Sequence, residues 1–169
     1  MHKNAQTLHR FFGALAYGDF RTMQECLHPQ TEFKDIGFDL RDKQVRAMWH
    51  MLCAREGGIR VMYRDVTADD VTGKVNWECD YEFQREPTSS ARHVHNKINS
   101  DFQFEDGLIR VQNDTCDFET WADQALGIIS PIMEVFGTLT GYQDLLEQKV
   151  RESAKNRIHE FVKIHPEYA

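Results

Sequence analysis

The chain opens on a helical pattern. Leu8, Phe11, Phe12 and Leu15 recur at i, i+3, i+4 and i+7, which places them on one face of a helix. Gly18 ends that helix, and Asp19 is positioned to cap a short second one through Met23 and Leu27. His28-Pro29 is expected to stop it, because the residue before a proline disfavours helical backbone. Residues 31–36 (TEFKDI) read as a short strand. Asp42 is expected to cap a third helix with the stripe Val45, Met48, Trp49, Leu52 and Cys53, and Gly57-Gly58 to terminate it.

Beyond residue 58 the period falls to 2. Ile59, Val61 and Tyr63 alternate with Arg60, Met62 and Arg64. Val75, Trp77, Cys79, Tyr81 and Phe83 alternate with Asn76, Glu78, Asp80 and Glu82, which predicts a strand with one apolar and one wet face. Pro87 to Ser90 reads as a loop, and between 92 and 105 Val94, Ile98, Phe102 and Phe104 share one parity. Asp106-Gly107 is a hairpin turn signal leading into a strand from Leu108 to about Phe118. Four consecutive strands joined by turns predict an antiparallel meander. Helix returns from Glu119 to Leu126, with Asp117 as its cap and Gly127 and Pro131 as its bounds. Thr140 to Gln143 has capping-box character. The helix that follows carries Tyr142, Leu146, Val150, Ala154, Ile158 and Phe161 in one stripe, pairs Glu147 with Arg151 on its surface, and ends at Pro166. A helix with a continuous apolar face is expected to dock, on its own domain, over a cavity mouth or on a partner subunit.

With 169 residues the chain is long enough for one domain with a real core. The 20 Lys and Arg against 27 Asp and Glu give a net charge of −7, the wrong sign for neutralising phosphates, so no nucleic acid partner is expected. No stretch approaches the about 20 apolar residues of a membrane span, and the N-terminal MHKNAQTLHR lacks a signal-peptide core, so no membrane association and a cytoplasmic location are expected. Cys26, Cys53, Cys79 and Cys116 are scattered, which argues against a disulfide framework or a zinc site. His93 and His95 share a strand face, yet no third ligand stands at a recognisable spacing, and no metal is expected. No phosphate loop, nucleophile elbow or metalloprotease helix is present, and no cofactor is expected.

Three segments together resemble the SnoaL-like, nuclear transport factor 2-like superfamily, which includes ketosteroid isomerase, limonene epoxide hydrolase and polyketide cyclases. FFGALAYGDFRTMQECLHPQTEFKD resembles its opening, DFQFEDGLI its hairpin, and QNDTCDFETW its final strand and Trp-bearing helix. The resemblance covers roughly residues 6–127, and residues 128–169 look like a C-terminal helical extension of the same domain. It implies an α+β fold in which a curved antiparallel sheet packs on three N-terminal helices as a cone with a pocket at its open end. It further implies a homodimer paired through the outer sheet face.

Within that resemblance Asp35 falls at the general-base position of the isomerase, and Asp114 at the water-activating acid of the epoxide hydrolase. The remaining isomerase groups are replaced: Phe11 stands at the phenol position and Ser100 at that of the protonated acid, while Asp101 has the opposite parity and is expected to be solvated. The hydrolase triad is incomplete, since the adjacent strand offers Trp77, Cys79 and Tyr81. Phe12, Trp49, Trp77, Cys79, Tyr81 and Ser100 are the expected pocket lining, although the stripes of Phe12 and Trp49 favour core and Trp77 and Tyr81 fit either, and His50 is placed to edge the pocket. Three functions are consistent with this reading. One is a cofactor-free acid–base enzyme using Asp35 and Asp114 on a small apolar carbonyl or epoxide compound. The others are a non-catalytic pocket protein for an apolar metabolite and a dimeric interaction module. The paired-acid mechanism requires both carboxylates to face one cavity.

Overall fold

The structure, a computed structural model, describes residues 1–55, 57–84, 89–127 and 142–169. The elements run α1 (Lys3–Ala16), α2 (Phe20–Gln24), β1 (Leu27–Lys34), β2 (Asp39–Arg41), α3 (Lys43–Cys53), β3 (Arg60–Ala68), β4 (Thr72–Phe83), β5 (Arg92–Glu105), β6 (Leu108–Cys116), α4 (Phe118–Leu126) and α5 (Tyr142–Ile164), with a 3-10 turn over Pro166–Tyr168. One six-stranded sheet has the order β2-β1-β6-β5-β4-β3. The β3–β6 meander is antiparallel throughout.

Local chemistry accounts for most boundaries. Gly18 takes φ +67 after α1, and the Asp19 carboxylate accepts the Thr22 N–H at the start of α2. Asp106 and Gly107 both adopt positive φ, which the tight turn between β5 and β6 requires. Asp117 accepts the Thr120 N–H at the start of α4. Other boundaries differ from expectation. α2 stops at Gln24, and His28-Pro29 lies inside β1, which begins four residues before the strand expected from pattern. Asp42 holds the N-cap position of α3 with φ 50 but makes no side-chain cap bond, and α3 ends at Cys53, ahead of Gly57-Gly58. The expected features at Pro87, Pro131 and Thr140 lie outside the described residues.

The largest departure is β1. It pairs parallel with β6, matching Phe33 to Gln112, while β2 folds back antiparallel on its other side. This long-range pairing sets the end of β1, and therefore Asp35, beside the end of β6 that carries Asp114.

The core forms where the α1 stripe meets the inner sheet face. Leu8, Phe11 and Phe12 are wholly buried. Phe12 stacks on Tyr63 at 5.5 Å and meets Trp77 at 5.5 Å and Phe102 at 6.1 Å. The approach of α1 to β4 is close enough to demand a glycine: a Cβ on Gly73 would lie 2.9 Å from the Phe104 ring and 3.1 Å from Leu8. The outer face carries charged cross-strand pairs, including Arg64–Glu78 at 2.7 Å and Lys74–Asp101 at 2.9 Å. None of the described helices is long and apolar enough to cross a membrane.

α5 docks on its own domain. Ile158 is buried, and Phe161 and Val162 pack against the main core. Leu146 and Val150 pack against a second cluster built on Val94, Phe118 and Trp121. The expected Glu147–Arg151 pair forms at 3.7 Å, and Arg151 Nε also donates to the Ile36 carbonyl at 3.2 Å. Burying one side chain the size of Ile158 is worth ~1.5–3 kcal/mol. In a chain of this size 1 kcal/mol moves Tm by about 2–4 °C. Deleting residues 138–169 is therefore expected to lower Tm by roughly 5 °C or more in a thermal melt. An unchanged Tm would count against docking.

Candidate active site

A cavity of about 1110 Å³ lies between the concave sheet face and α3, α4 and α5. The period of the strands determines what enters it. Trp77, Cys79 and Tyr81 alternate inward from β4, Ile98 from β5, and Asp114 and Cys116 from β6. Phe33 and Asp35 reach it from β1 and its end, Trp49 from α3, and Trp121 from α4. Residues of α5, among them Leu146, Val150 and Arg157, form the wall opposite the sheet.

Both expected acids line this cavity. Asp35 ends β1 in a tight turn: its Oδ1 accepts the N–H groups of Gly37 at 2.7 Å and Phe38 at 2.6 Å. Burial nevertheless raises its pKa to about 6, against the pull of those two N–H groups and of the Arg151 charge. Asp114 is more strongly affected. Burial lifts its pKa to about 7, opposed by hydrogen bonds from Ser100 and Gln112 and reinforced by the charge of Asp35.

The groups holding Asp114 form a chain. Trp77 Nε1 donates to Ser100 Oγ at 2.8 Å, and Ser100 Oγ donates to Asp114 Oδ1 at 2.5 Å. An indole nitrogen can only donate, so the serine hydrogen is committed to the carboxyl. Gln112 Nε2 spans both oxygens at 3.0 and 3.1 Å. Elsewhere on the cavity wall, Trp121 Nε1 donates to the Tyr81 hydroxyl at 2.8 Å.

Two expected lining residues stand behind the wall. Phe12 belongs to the solid core beneath Trp77, because its turn of α1 faces the packed part of the sheet. Ser100 is buried at the register partner of Asp114 and reaches the cavity through its two bonded partners, that carboxyl and the Trp77 indole. Asp101 is exposed, as its parity requires, and pairs with Lys74. His50 turns away from the cavity and stacks on Phe20. His93 and His95 lie on the outer face and engage Asp80 at 3.2 and 3.0 Å. The buried Cys79 thiol is pushed up to about 12, which leaves it protonated and unreactive.

Sequence reasoning missed Gln112 and Arg151. Gln112 shares the parity of Asp114 two residues away on β6, a usable signal. Arg151 acts on Asp35 from a helix distant in sequence, and no local pattern indicates that approach.

A curved six-stranded sheet wrapped around helices, with an acid-bearing cavity at one end, defines an α+β protein of the nuclear transport factor 2-like class. The chain belongs to the SnoaL-like domain family, whose model matches residues 8–112. Solved structures agree on the fold. An M. tuberculosis LEH-like epoxide hydrolase shares 18% identity at a TM-score of 0.61, covering 80% of this chain and 96% of that one. A Jannaschia sp. CCS1 protein described as a SnoaL-like polyketide cyclase shares 16% at 0.60, covering 73% and 91%. TsrD from Streptomyces laurentii shares 20% at 0.60, covering 73% and 94%. No curated protein matches the chain in sequence.

Proposed function

We propose that the cavity binds a small apolar molecule carrying a carbonyl or epoxide oxygen, and that the protein is a cofactor-free acid–base enzyme. The observation that carries this reading is the pair of carboxyls lining one cavity, both raised by burial well above the usual carboxylate range, Asp35 to about 6 and Asp114 to about 7. Burial raises both groups, and the charge of Asp35 raises Asp114 further, which favours Asp35 as the base and Asp114 as the acid. Asp114 Oδ1 accepts from both Ser100 and Gln112 while Oδ2 accepts from Gln112 alone, so the proton is placed on the less engaged Oδ2 and is given from there to the ligand oxygen. Asp35 Oδ1 is taken by two backbone N–H groups, which leaves Oδ2 to accept a proton from a substrate carbon or from water. The Tyr81 hydroxyl, already accepting from Trp121, has its own hydrogen left to donate to the ligand.

The first test is direct titration of aspartate side-chain carboxyl carbons by NMR, with assignments from Asp35→Asn and Asp114→Asn. Two carboxyls titrating above pH 5 support the reading, and both titrating near 4 would refute it. Turnover of a panel of epoxides and unsaturated ketones then follows, with each variant expected to lose ~10²–10⁴-fold in rate.

A second reading is favoured by one feature: each carboxyl already has hydrogen-bond partners within the protein. It makes the chain a non-catalytic binder of an apolar metabolite. Saturable binding from the same panel, with no turnover and unchanged affinity in both variants, would select it.

A further inference from the structure

Away from the cavity, the C-terminal turn brings three metal-binding side chains together. His50 projects from the last turn of α3, His165 follows α5, and Glu167 sits in the 3-10 turn. One ligand atom from each lies within 4.8 Å of the other two. None of the three lines the cavity, so the cluster is independent of the chemistry proposed there.

We propose that His50, His165 and Glu167 bind a single divalent transition-metal ion, zinc in the first instance, which latches the C-terminal turn onto α3. Two imidazoles and a carboxylate suit zinc in composition, with water completing a tetrahedron. Tetrahedral bonds of ~2.0–2.1 Å place ligand atoms about 3.3 Å apart, within reach of small side-chain rotations. Glu167 is exposed and can make that adjustment.

Stacking holds both imidazoles in place, and His50 also has a hydrogen-bond partner on its second ring nitrogen, as a metal-bound histidine does. Phe20 stacks on the His50 ring at 4.6 Å and 7°, and Phe161 on the His165 ring at 4.1 Å and 21°. The Tyr168 hydroxyl engages His50 Nδ1 at 3.0 Å and fixes the orientation of the ring. Lys43 Nζ donates to the Ala169 carbonyl at 2.8 Å, which anchors the chain just past Glu167. The other histidine pair, His93 and His95, has both rings engaged with one carboxylate of the outer sheet, Asp80.

A bound ion would tie the distal end of α5 to the helix that carries Trp49. Because α5 forms one wall of the cavity, the latch would hold that wall in place.

The test uses the full chain, free of any affinity tag and stripped with a chelator, titrated with cobalt(II) and zinc(II). Cobalt is expected to give the visible absorption of a four-coordinate site, saturating at one equivalent, and zinc to displace it and raise Tm. His165→Gln and Glu167→Gln, checked for native far-UV circular dichroism, are each expected to weaken binding tenfold or more. The double variant His93→Gln/His95→Gln should bind as the parent does. No one-equivalent binding at micromolar metal, equal binding by His165→Gln, or loss of binding in the outer-face double variant would each overturn the proposal.

Discussion

Asp114→Asn is expected to stabilise the protein at pH 8 and to leave its stability unchanged well below pH 4. The carboxyl titrates near 3.8 in the unfolded chain and near 7 in the folded one. Between those values the folded state holds a proton that the unfolded state has released, so stability falls as pH rises through this window. A tenfold difference in proton affinity between the two states corresponds to ~1.4 kcal/mol, so the folded state is penalised by on the order of 4 kcal/mol once the group is ionised. Asparagine keeps Oδ1, which Ser100 and Gln112 both bond, gives up the second Gln112 contact at Oδ2, and never ionises. A gain of ~2–4 kcal/mol at pH 8 is expected from urea midpoints, shrinking to nothing below the unfolded-state pKa. Asp35→Asn should show the same sign with a smaller gain, because the pKa of Asp35 is raised less. Equal stability of parent and variant at both pH values would mean that Asp114 is not held in a desolvated site. A stability gain combined with loss of turnover would place the acid among residues that trade stability for activity.

Phe12→Ala is expected to be the most damaging single truncation in the core. The ring is fully buried and contacts Phe11, Tyr63, Trp77 and Phe102. Removing it opens a void that α1 cannot close, since the helix already presses on Gly73 of β4. A loss of ~3–5 kcal/mol is expected, with Tm lower by roughly 10 °C at ~2–4 °C per kcal/mol. A loss below ~1 kcal/mol, the range of well-tolerated volume-conserving swaps, would mean that the site collapses around the missing ring.

The contrast between Phe12 and Trp77 shows what the sequence carries and where it stops. Their periodicities correctly mark both as inward-facing. Periodicity reports which face is buried, not how far along the cone the residue sits, and that depth separates solid core from cavity wall. The Asp19 and Asp117 caps and the Asp106-Gly107 turn are legible because each is decided within a few residues. The parallel pairing of β1 with β6 is not, since it joins segments some 80 residues apart and leaves no local pattern. The site divides along the same line. Resemblance places Asp35 at the end of the short strand and Asp114 on the final strand, and the structure sets them around one cavity. The bond from Ser100 to Asp114 requires the β5–β6 register, and the Arg151 charge near Asp35 requires the docking of α5.

The three tryptophans of the chain, Trp49, Trp77 and Trp121, are all buried and all border the same cavity. The native protein therefore carries its own optical probe: emission excited selectively in indole originates around this one space. Trp77 is further joined through Ser100 to Asp114, so its emission senses the charge on that carboxyl as well as the arrival of a guest. A compound library can then be screened by intrinsic fluorescence, with neither a label nor an assumed reaction, and a hit reads out occupancy and local ionisation in the same trace.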